Sequence, residues 1–250
     1  MTNALLFSNS SNPGGGFLEH AESVVSEYFD GITEVLFAPW ALADHVGYTA
    51  QIAEGFARYG IAVRGLHEWR DPASAIRDGS ALYVGGGSTF RLTKILHEAN
   101  LIDPIRAAVA GGLRYSGASA GSLIASPTMR TTNDMPIVEP PSLDTLGLIP
   151  FQLNCHYVDA DPSSIYAGQN RELRLAEFLE DNDVPVLGLR DGCWLRVDDA
   201  TGVQRAVVEG TAVSPSAPGP GIVFRRGELP VEVSGDLSFL LEGTPRFDTA

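Results

Sequence analysis

Short apolar segments alternate with helical patterns through the first half of this 250-residue chain, and this alternation restricts its fold more than any other feature. The apolar segments predict five buried strands: Ala4–Phe7, Val35–Phe37, Ile61–Leu66, Ala81–Val84 and Leu113–Ser116. The intervening segments predict helices, which cover Phe17–Tyr28, Tyr48–Tyr59, Ser88–His97 with Ser88 as N-cap, Pro104–Ala110 with Asp103 as N-cap, and a start at Ala120. The pattern predicts an α/β fold: a doubly wound, mostly parallel sheet with helices on both faces.

The second half of the chain is less regular. A proline-rich stretch follows Pro127, and regular patterns return as the predicted strands Phe151–Cys155 and Val184–Leu189, with a helix at Arg171–Glu180 between them. Three short apolar segments then predict a small antiparallel C-terminal addition: Trp194–Val197, Ala206–Val208 and Ile222–Phe224. Since no repeat or linker divides the chain, we expect one domain over residues 1–250.

Composition limits the classes of partner and the compartment. Hydrophobic residues make up 44% of the chain, enough for a full core, and the net charge is -14. Such a charge repels nucleic acid and anionic membranes, so we expect neither as a partner, and an acidic ligand would need a local cation. Two cysteines are too few for a disulfide framework, and neither a signal peptide nor a membrane-spanning apolar run is visible. We therefore expect a cytoplasmic protein. The sequence does not decide between a monomer and a homodimer.

A G-x-S-x-G motif, Gly117-Ala118-Ser119-Ala120-Gly121, lies between a predicted strand and a predicted helix. A tight turn there lifts the serine hydroxyl above the sheet, and glycines avoid clashes in the turn. The context favours Ser119 as a nucleophile over a turn that is merely tightly packed. Its partners would be a base and a carboxylate that orients the base.

Strand ends supply these partners. Of the five histidines, His156 follows a predicted strand at the edge where α/β sheets form sites, and Asp191 follows the next strand. His20 and His97 fall within predicted helices, whereas His45 and His67 in loops remain open as alternatives, and Asp191 could also be an ordinary turn residue. Backbone N–H groups of Ala120 and of the Gly85-Gly86-Gly87 loop are candidates for an oxyanion hole, and within the loop we assign this role to Gly86 and Gly87.

Several segments together resemble the peptidase E family, the aspartyl dipeptidases. They are Leu6–Ser10, Val84–Phe90 with Ser88 where the family has Asn, Pro127–Val138, Phe151–His156 with Cys155 replacing Pro, and Gly188–Trp194. The resemblance covers residues 3 to about 225. It implies a fold similar to class I glutamine amidotransferases and cleavage of Asp-X dipeptides without metal or cofactor. It also implies Ser119, His156 and Asp191 as the triad, with Asp where the best-known bacterial pattern has Glu.

A small peptide with an N-terminal aspartate requires a cation near its side-chain carboxylate. A guanidinium binds a carboxylate through two parallel hydrogen bonds, which favours arginine over lysine. Arg171 aligns with an arginine in the family segment after the catalytic histidine, and Arg130 is the competing candidate. Ser88 in the glycine loop is a further candidate for substrate binding.

Three alternatives remain from the sequence. The chain could act on β-aspartyl peptides or the polymer cyanophycin, or it could be a catalytically silent binding protein on the same fold. A thiol enzyme using Cys155 or Cys193 is a third alternative, although neither cysteine lies at a helix start that would lower its pKa.

Overall fold

A computed structural model of the chain describes residues 2–159, 170–199 and 202–249. The strands are β1 (Ala4–Phe7), β2 (Glu34–Ala38), β3 (Ala62–Gly65), β4 (Ala81–Val84), β5 (Arg114–Ala118), β6 (Gln152–Tyr157), β7 (Val186–Arg190), β8 (Cys193–Asp198), β9 (Arg205–Gly210), β10 (Gly221–Phe224), β11 (Val231–Val233) and β12 (Gly235–Asp236). The helices are α1 (Glu22–Tyr28), α2 (His45–Ala57), α3 (Pro72–Asp78), α4 (Thr89–Glu98), α5 (Ile102–Ala110), α6 (Ala120–Leu123) and α7 (Arg171–Asp181). Short three-ten helices cover Glu19–Ala21, Leu66–Glu68 and Ser238–Glu242.

The main sheet has the strand order β12-β9-β8-β1-β5-β4-β2-β3. Strands β1 to β5 run parallel to one another, and β8, β9 and β12 extend the sheet with antiparallel pairing beside β1. Because the strand order reverses direction around β1 and β5, the carboxyl ends of these strands open a crevice of the kind in which α/β proteins bind ligands.

Alternate residues of the parallel strands face two separate hydrophobic clusters. Leu5, Phe37 and Tyr83 pack on one face with α1 and α2, whereas Leu6 and Leu82 pack on the other face with α3, α4, α5 and α6. Strands buried on both faces read as continuous apolar runs, which is why they were recognisable in the sequence. The predicted class, a mostly parallel sheet with helices on both faces, is confirmed.

Strands β6 and β7 lie in a second sheet rather than in the main one. Its order is β11-β10-β7-β6, with β6 and β7 parallel and the other pairs antiparallel. Helix α7 covers this sheet through Leu175 and Leu179, which pack against Tyr157 and Val186. The antiparallel C-terminal strands are therefore divided between two sheets, a partition that the local patterns did not reveal.

Two local predictions were wrong, and one helix was not predicted. The first α-helix begins only at Glu22, because Leu18 has a left-handed backbone (φ 50°) that interrupts the expected helix. Helix α5 begins at Ile102, so that Asp103 lies within its first turn and is not its N-cap. Helix α3 was missed, although Asp71 caps it by accepting the Ser74 N–H and Pro72 begins it. Within the described residues, no helix has both the length and the apolar character of a membrane span.

Candidate active site

Ser119 lies at the turn between β5 and α6, at the carboxyl edge of the main sheet. Its backbone has φ 54° and ψ −115°, a strained conformation for a residue with a side chain. The flanking glycines permit the turn: a Cβ at Gly117 would collide with the backbone of Gly121, and one at Gly121 with the carbonyl oxygen of Val84. The strained turn and its glycine neighbours are those of a nucleophile elbow.

His156 lies near the end of β6 and faces Ser119. Its Nε2 is 2.8 Å from Ser119 Oγ. The backbone of His156 is left-handed (φ 55°), and the register of β6 against β7 shifts between Cys155 and Tyr157. This irregularity turns one side chain away from the regular alternation of the strand, which is how bulges redirect side chains next to sites.

Asp191 directly follows β7, and its Oδ1 is 2.8 Å from His156 Nδ1. Burial opposes ionisation of the Asp191 carboxyl, but hydrogen bonds from His156 and Ser8 and the charge of His156 outweigh it and hold the pKa of Asp191 below its ordinary value. An ionised Asp191 fixes the tautomer in which His156 Nδ1 carries the proton and Nε2 accepts from the Ser119 hydroxyl. The structure thus brings together all three residues predicted as the triad.

The glycine loop after β4 packs against Ser119. A Cβ at Gly86 would lie 3.1 Å from Ser119 Cβ, so only glycine fits there without displacing the loop, and Gly87 has φ 130°. Within the described residues, the N–H groups of Gly86, Gly87 and Ala120 donate no backbone hydrogen bond of a turn or loop. These three N–H groups are therefore free to bind a substrate oxygen, and Gly86 and Ala120 adjoin Ser119 in space and in sequence, respectively.

Ser88 and Arg130 have partners within the protein itself. Ser88 Oγ accepts the Arg91 N–H and caps α4. Arg130 donates to both carboxylate oxygens of Asp248 at 2.6 and 2.9 Å, and its guanidinium lies 5.5 Å from the ring centre of Phe247. Arg130 is thus paired with the C-terminal segment, and this pair occupies the guanidinium that was a candidate for binding the substrate aspartate.

Arg171 is the first residue of α7, after the N-cap Asn170. Residues 168 and 169 of its family-like segment lie outside the described residues. Burial and the charge of Arg174 lower the pKa of Arg171, while the charge of Asp134 opposes them. Asp134 Oδ2 in turn accepts the Thr89 N–H at 2.6 Å, directly beyond the glycine loop. The charge of Asp134, which binds the residue after the glycine loop, therefore acts on Arg171.

Ser8 and Asp134 are site neighbours that the motifs did not single out. Ser8 contacts Asp191 from 183 residues away, and Asp134 reaches Thr89 across 45 residues. Both lie in segments that carried the family resemblance, but only the fold shows what their side chains contact. No local signal of periodicity or spacing could have found these contacts.

Neither cysteine is arranged as a nucleophile. Both thiols are buried and free, and burial raises the pKa of Cys193 to about 12 and that of Cys155 still further. Among the described residues, no three His, Cys, Asp or Glu side chains are grouped so as to hold a metal ion. The groups assembled around Ser119 are an imidazole, a carboxylate and backbone N–H groups, which suit attack by a hydroxyl on a carbonyl carbon.

The chain is similar to known proteins of one peptidase family. Residues 4–204 match the model of peptidase family S51. Peptidase E of Streptomyces coelicolor is 50% identical over 249 residues, covering 99% of this chain and 98% of the relative. The probable alpha-aspartyl dipeptidase of Drosophila melanogaster is 44% identical over 198 residues, covering 78% and 82% of the two chains.

A solved structure shows the same fold at lower sequence similarity. The crystal structure of a putative peptidase E protein from Listeria monocytogenes matches with a TM-score of 0.64 at 18% identity, covering 85% of this chain and 100% of that one. At this identity, the likeness concerns the fold alone.

Proposed function

Since the chain belongs to peptidase family S51, we propose that it is a serine peptidase which hydrolyses dipeptides with an N-terminal aspartate. Relatives named peptidase E and probable alpha-aspartyl dipeptidase support the substrate class. The observation that carries the mechanism is the continuous hydrogen-bonded line from Ser119 Oγ through His156 to Asp191, with both links at 2.8 Å.

Acylation begins when Ser119 Oγ attacks the carbonyl carbon of the N-terminal aspartate. His156 Nε2 takes the hydroxyl proton, and the negative charge that develops on the carbonyl oxygen is held by the N–H groups of Ala120, Gly86 and Gly87. Asp191 holds the imidazole in place and stabilises its positive charge. His156 then gives its proton to the leaving amine, so the C–N bond breaks and an aspartyl ester of Ser119 remains.

Deacylation repeats these steps with water. His156 Nε2 takes a proton from a water molecule as the water oxygen attacks the ester carbon, and the same N–H groups hold the oxyanion. Breakdown of this intermediate returns the proton to Ser119 Oγ and releases free aspartate. No metal or cofactor takes part in the proposed steps.

In this proposal, the guanidinium of Arg171 binds the side-chain carboxylate of the substrate aspartate. Its support is its position at the start of α7 and the effect on it of the charge of Asp134, which accepts the N–H of Thr89 beyond the glycine loop. Arg130 is the weaker candidate, because Asp248 already occupies its guanidinium. Ser88, the cap of α4, lines the loop beside the substrate and holds the loop in place.

We also place the reaction in a reducing compartment, the cytoplasm. Both cysteines are free and buried, as in proteins that do not rely on disulfides.

The function is tested with purified protein and a panel of dipeptides: Asp-Leu, Asn-Leu, Glu-Leu, Ala-Leu and β-Asp-Leu. We expect rapid cleavage of Asp-Leu alone, and a loss of at least about 10⁴-fold in kcat for Ser119→Ala. Equal rates with Asp-Leu and Ala-Leu would refute the aspartate specificity, and preference for β-Asp-Leu would assign the chain to isopeptides. Unchanged turnover in Ser119→Ala would refute the mechanism.

The role of Arg171 is tested separately with Arg171→Gln. Loss of a charge pair with the substrate should lower kcat/KM for Asp-Leu by roughly 30- to 1000-fold and affect the slow cleavage of Asn-Leu much less. Arg174→Gln, on the same helix, is the matched control. Equal losses with both substrates, or in both variants, would place the aspartate elsewhere.

A further inference from the structure

Ser8 is buried directly beside the proposed acid and base. It follows β1 and is 0% exposed, and its backbone N–H continues the pairing of β1 with β8 by donating to Cys193 O at 3.0 Å. Its side chain leaves the sheet toward the end of β7, where Asp191 lies. The residue thus stands where the main sheet meets the second sheet.

The hydroxyl of Ser8 connects three groups. Its oxygen accepts the backbone N–H of His156 at 2.8 Å, and it lies 2.9 Å from both Asp191 Oδ1 and Leu189 O. A hydroxyl has a single proton, and an ionised carboxylate is a stronger acceptor than a carbonyl oxygen. The Ser8 proton is therefore directed chiefly at Asp191.

These contacts restrict the backbone of His156 and the side chain of Asp191. His156 has a left-handed backbone at a register shift, and Ser8 supplies an acceptor for its N–H there. Asp191 Oδ1 accepts from both Ser8 and His156 Nδ1, so the second donor restricts rotation of the carboxylate. One hydroxyl thus fixes the backbone of the base and the side chain of the acid.

The next residue holds the same turn. Asn9 Oδ1 accepts the Gly192 N–H at 2.7 Å, which fixes the backbone that follows Asp191. The chain end after β1 therefore fixes Asp191 through its carboxylate and through its following peptide. Ser8 and Asn9 therefore contact both the turn that carries Asp191 and the backbone of His156.

We propose that Ser8 is a positioning residue for the reaction, because its hydroxyl accepts the His156 N–H and donates to Asp191, and so holds the imidazole toward Ser119. The inference rests on the proposed function. Ser8 does not touch the substrate, and it acts only through His156 and Asp191.

Ser116 provides a matched control for a purely structural role. It is also 0% exposed, and its hydroxyl donates to the carbonyl oxygen of Leu5 at 2.9 Å, but none of its side-chain hydrogen bonds reaches the triad. Ser8→Ala and Ser116→Ala each remove one oxygen and no carbon from the interior. Both variants should remain folded, which circular dichroism and thermal melting would verify before kinetics.

The experiment measures kcat and KM for Asp-Leu in both variants and in Asp191→Asn. We expect Ser8→Ala to lower kcat by about 10- to 100-fold with KM within about twofold, since small displacements of reacting groups cost rate rather than binding. Ser116→Ala should keep kcat within about twofold of the parent protein. Because part of the effect of Ser8 passes through Asp191, adding Ser8→Ala to Asp191→Asn should lower kcat by a smaller factor than Ser8→Ala lowers it in the parent protein.

A spectroscopic readout separates positioning from general destabilisation. The downfield proton resonance of His156 Nδ1–H should shift or broaden in Ser8→Ala and stay unchanged in Ser116→Ala. Equal kcat values for the two single variants, or multiplicative losses in the double variant, would overturn the inference. The proposed function is judged independently by Ser119→Ala, so the two failures are distinguishable.

Discussion

Gly86→Ala tests the glycine loop directly, because this position packs on the reacting serine. The added Cβ would lie 3.1 Å from Ser119 Cβ and 3.2 Å from Ala118 O. Ordinary contacts between non-bonded carbon atoms are about 3.5–4.0 Å, so the loop must retreat by roughly 0.5 Å. That retreat carries the proposed oxyanion donor away from the carbonyl oxygen it should hold.

The expected loss follows from the size of this displacement. Removing one oxyanion donor outright costs about 10²- to 10³-fold in kcat, and donors act at about 2.7–3.1 Å. A retreat of half an ångström weakens the bond without abolishing it, so we expect kcat/KM for Asp-Leu to fall by about 10- to 100-fold. Crowding of this size should lower the free energy of unfolding by only about 1 kcal/mol.

Gly111→Ala is the matched control for crowding. Gly111 follows α5, has φ −80°, and a Cβ there would lie 3.2 Å from Ala108 O and 3.3 Å from Ala107 O. The two substitutions therefore introduce similar contacts, but only Gly86 adjoins Ser119. Urea denaturation of both variants should show similar small losses in stability, with activity lost only in Gly86→Ala.

An aldehyde analogue of the aspartyl substrate makes the assay specific for the oxyanion. Its adduct with Ser119 carries an oxygen in the same place as the reaction intermediate. We expect its inhibition constant to rise in Gly86→Ala in proportion to the loss in kcat/KM, while binding of free aspartate stays within about twofold. If Gly86→Ala matches Gly111→Ala in kcat/KM, or weakens aldehyde and aspartate equally, the loop does not hold the oxyanion.

Three further predictions concern Asp191, the cysteines and Arg190. The folded-state pKa of Asp191 lies below its ordinary value, so its ionised form stabilises the fold above the unfolded pKa of about 4, and this contribution is lost as pH falls through the folded pKa. In urea denaturation, the difference in free energy of unfolding between the parent and Asp191→Asn should therefore shrink from pH 7 to pH 3.5. A constant difference would contradict a lowered pKa of Asp191. Iodoacetamide at pH 8 should leave Asp-Leu cleavage intact, because burial raises the pKa of Cys193 to about 12 and that of Cys155 further, whereas inactivation in proportion to labelling would revive the thiol mechanism. Arg190 is 2% exposed and bound by the carboxylates of Asp159 and Glu232, so Arg190→Met should lower the free energy of unfolding by about 2–3 kcal/mol. A change of less than about 0.5 kcal/mol, the usual size for a surface substitution, would show that the cluster is not stabilising.

Local features of the sequence predicted the elements that carry the site. Strands buried on both faces were recognisable as apolar runs, and the elbow motif fell between β5 and α6, where its glycines relieve clashes that a side chain would cause. His156 and Asp191 were identified because each follows or ends an apolar segment of the chain. These are features that a few neighbouring residues determine.

Contacts between distant residues could not be predicted in this way. The sequence makes Arg130 a candidate for binding the substrate aspartate, but in the fold its guanidinium pairs with Asp248, 118 residues away. The placement of β6 and β7 in a second sheet is likewise a matter of tertiary packing, because a buried parallel strand has the same apolar pattern in either sheet. Helix α3 was missed because its short run of alternating apolar residues has little periodicity, although its cap and proline were visible.

The proposed triad is assembled from two sheets, and this arrangement explains why β1 matters to the chemistry. Ser119 follows β5 of the main sheet, whereas His156 and Asp191 belong to the ends of β6 and β7 in the second sheet. Strand β1 pairs with β5 on one side and on the other with β8, which begins two residues after Asp191. Strand β1 thus lies between the strand that ends at the nucleophile and the strand that follows the acid, and Ser8 at its end contacts both second-sheet residues. Sliding of one sheet on the other would separate Ser119 from His156, so the contacts of Ser8 add to those that hold β6 to the chain after Ser119, such as the hydrogen bond from the Leu153 N–H to Ser126 Oγ.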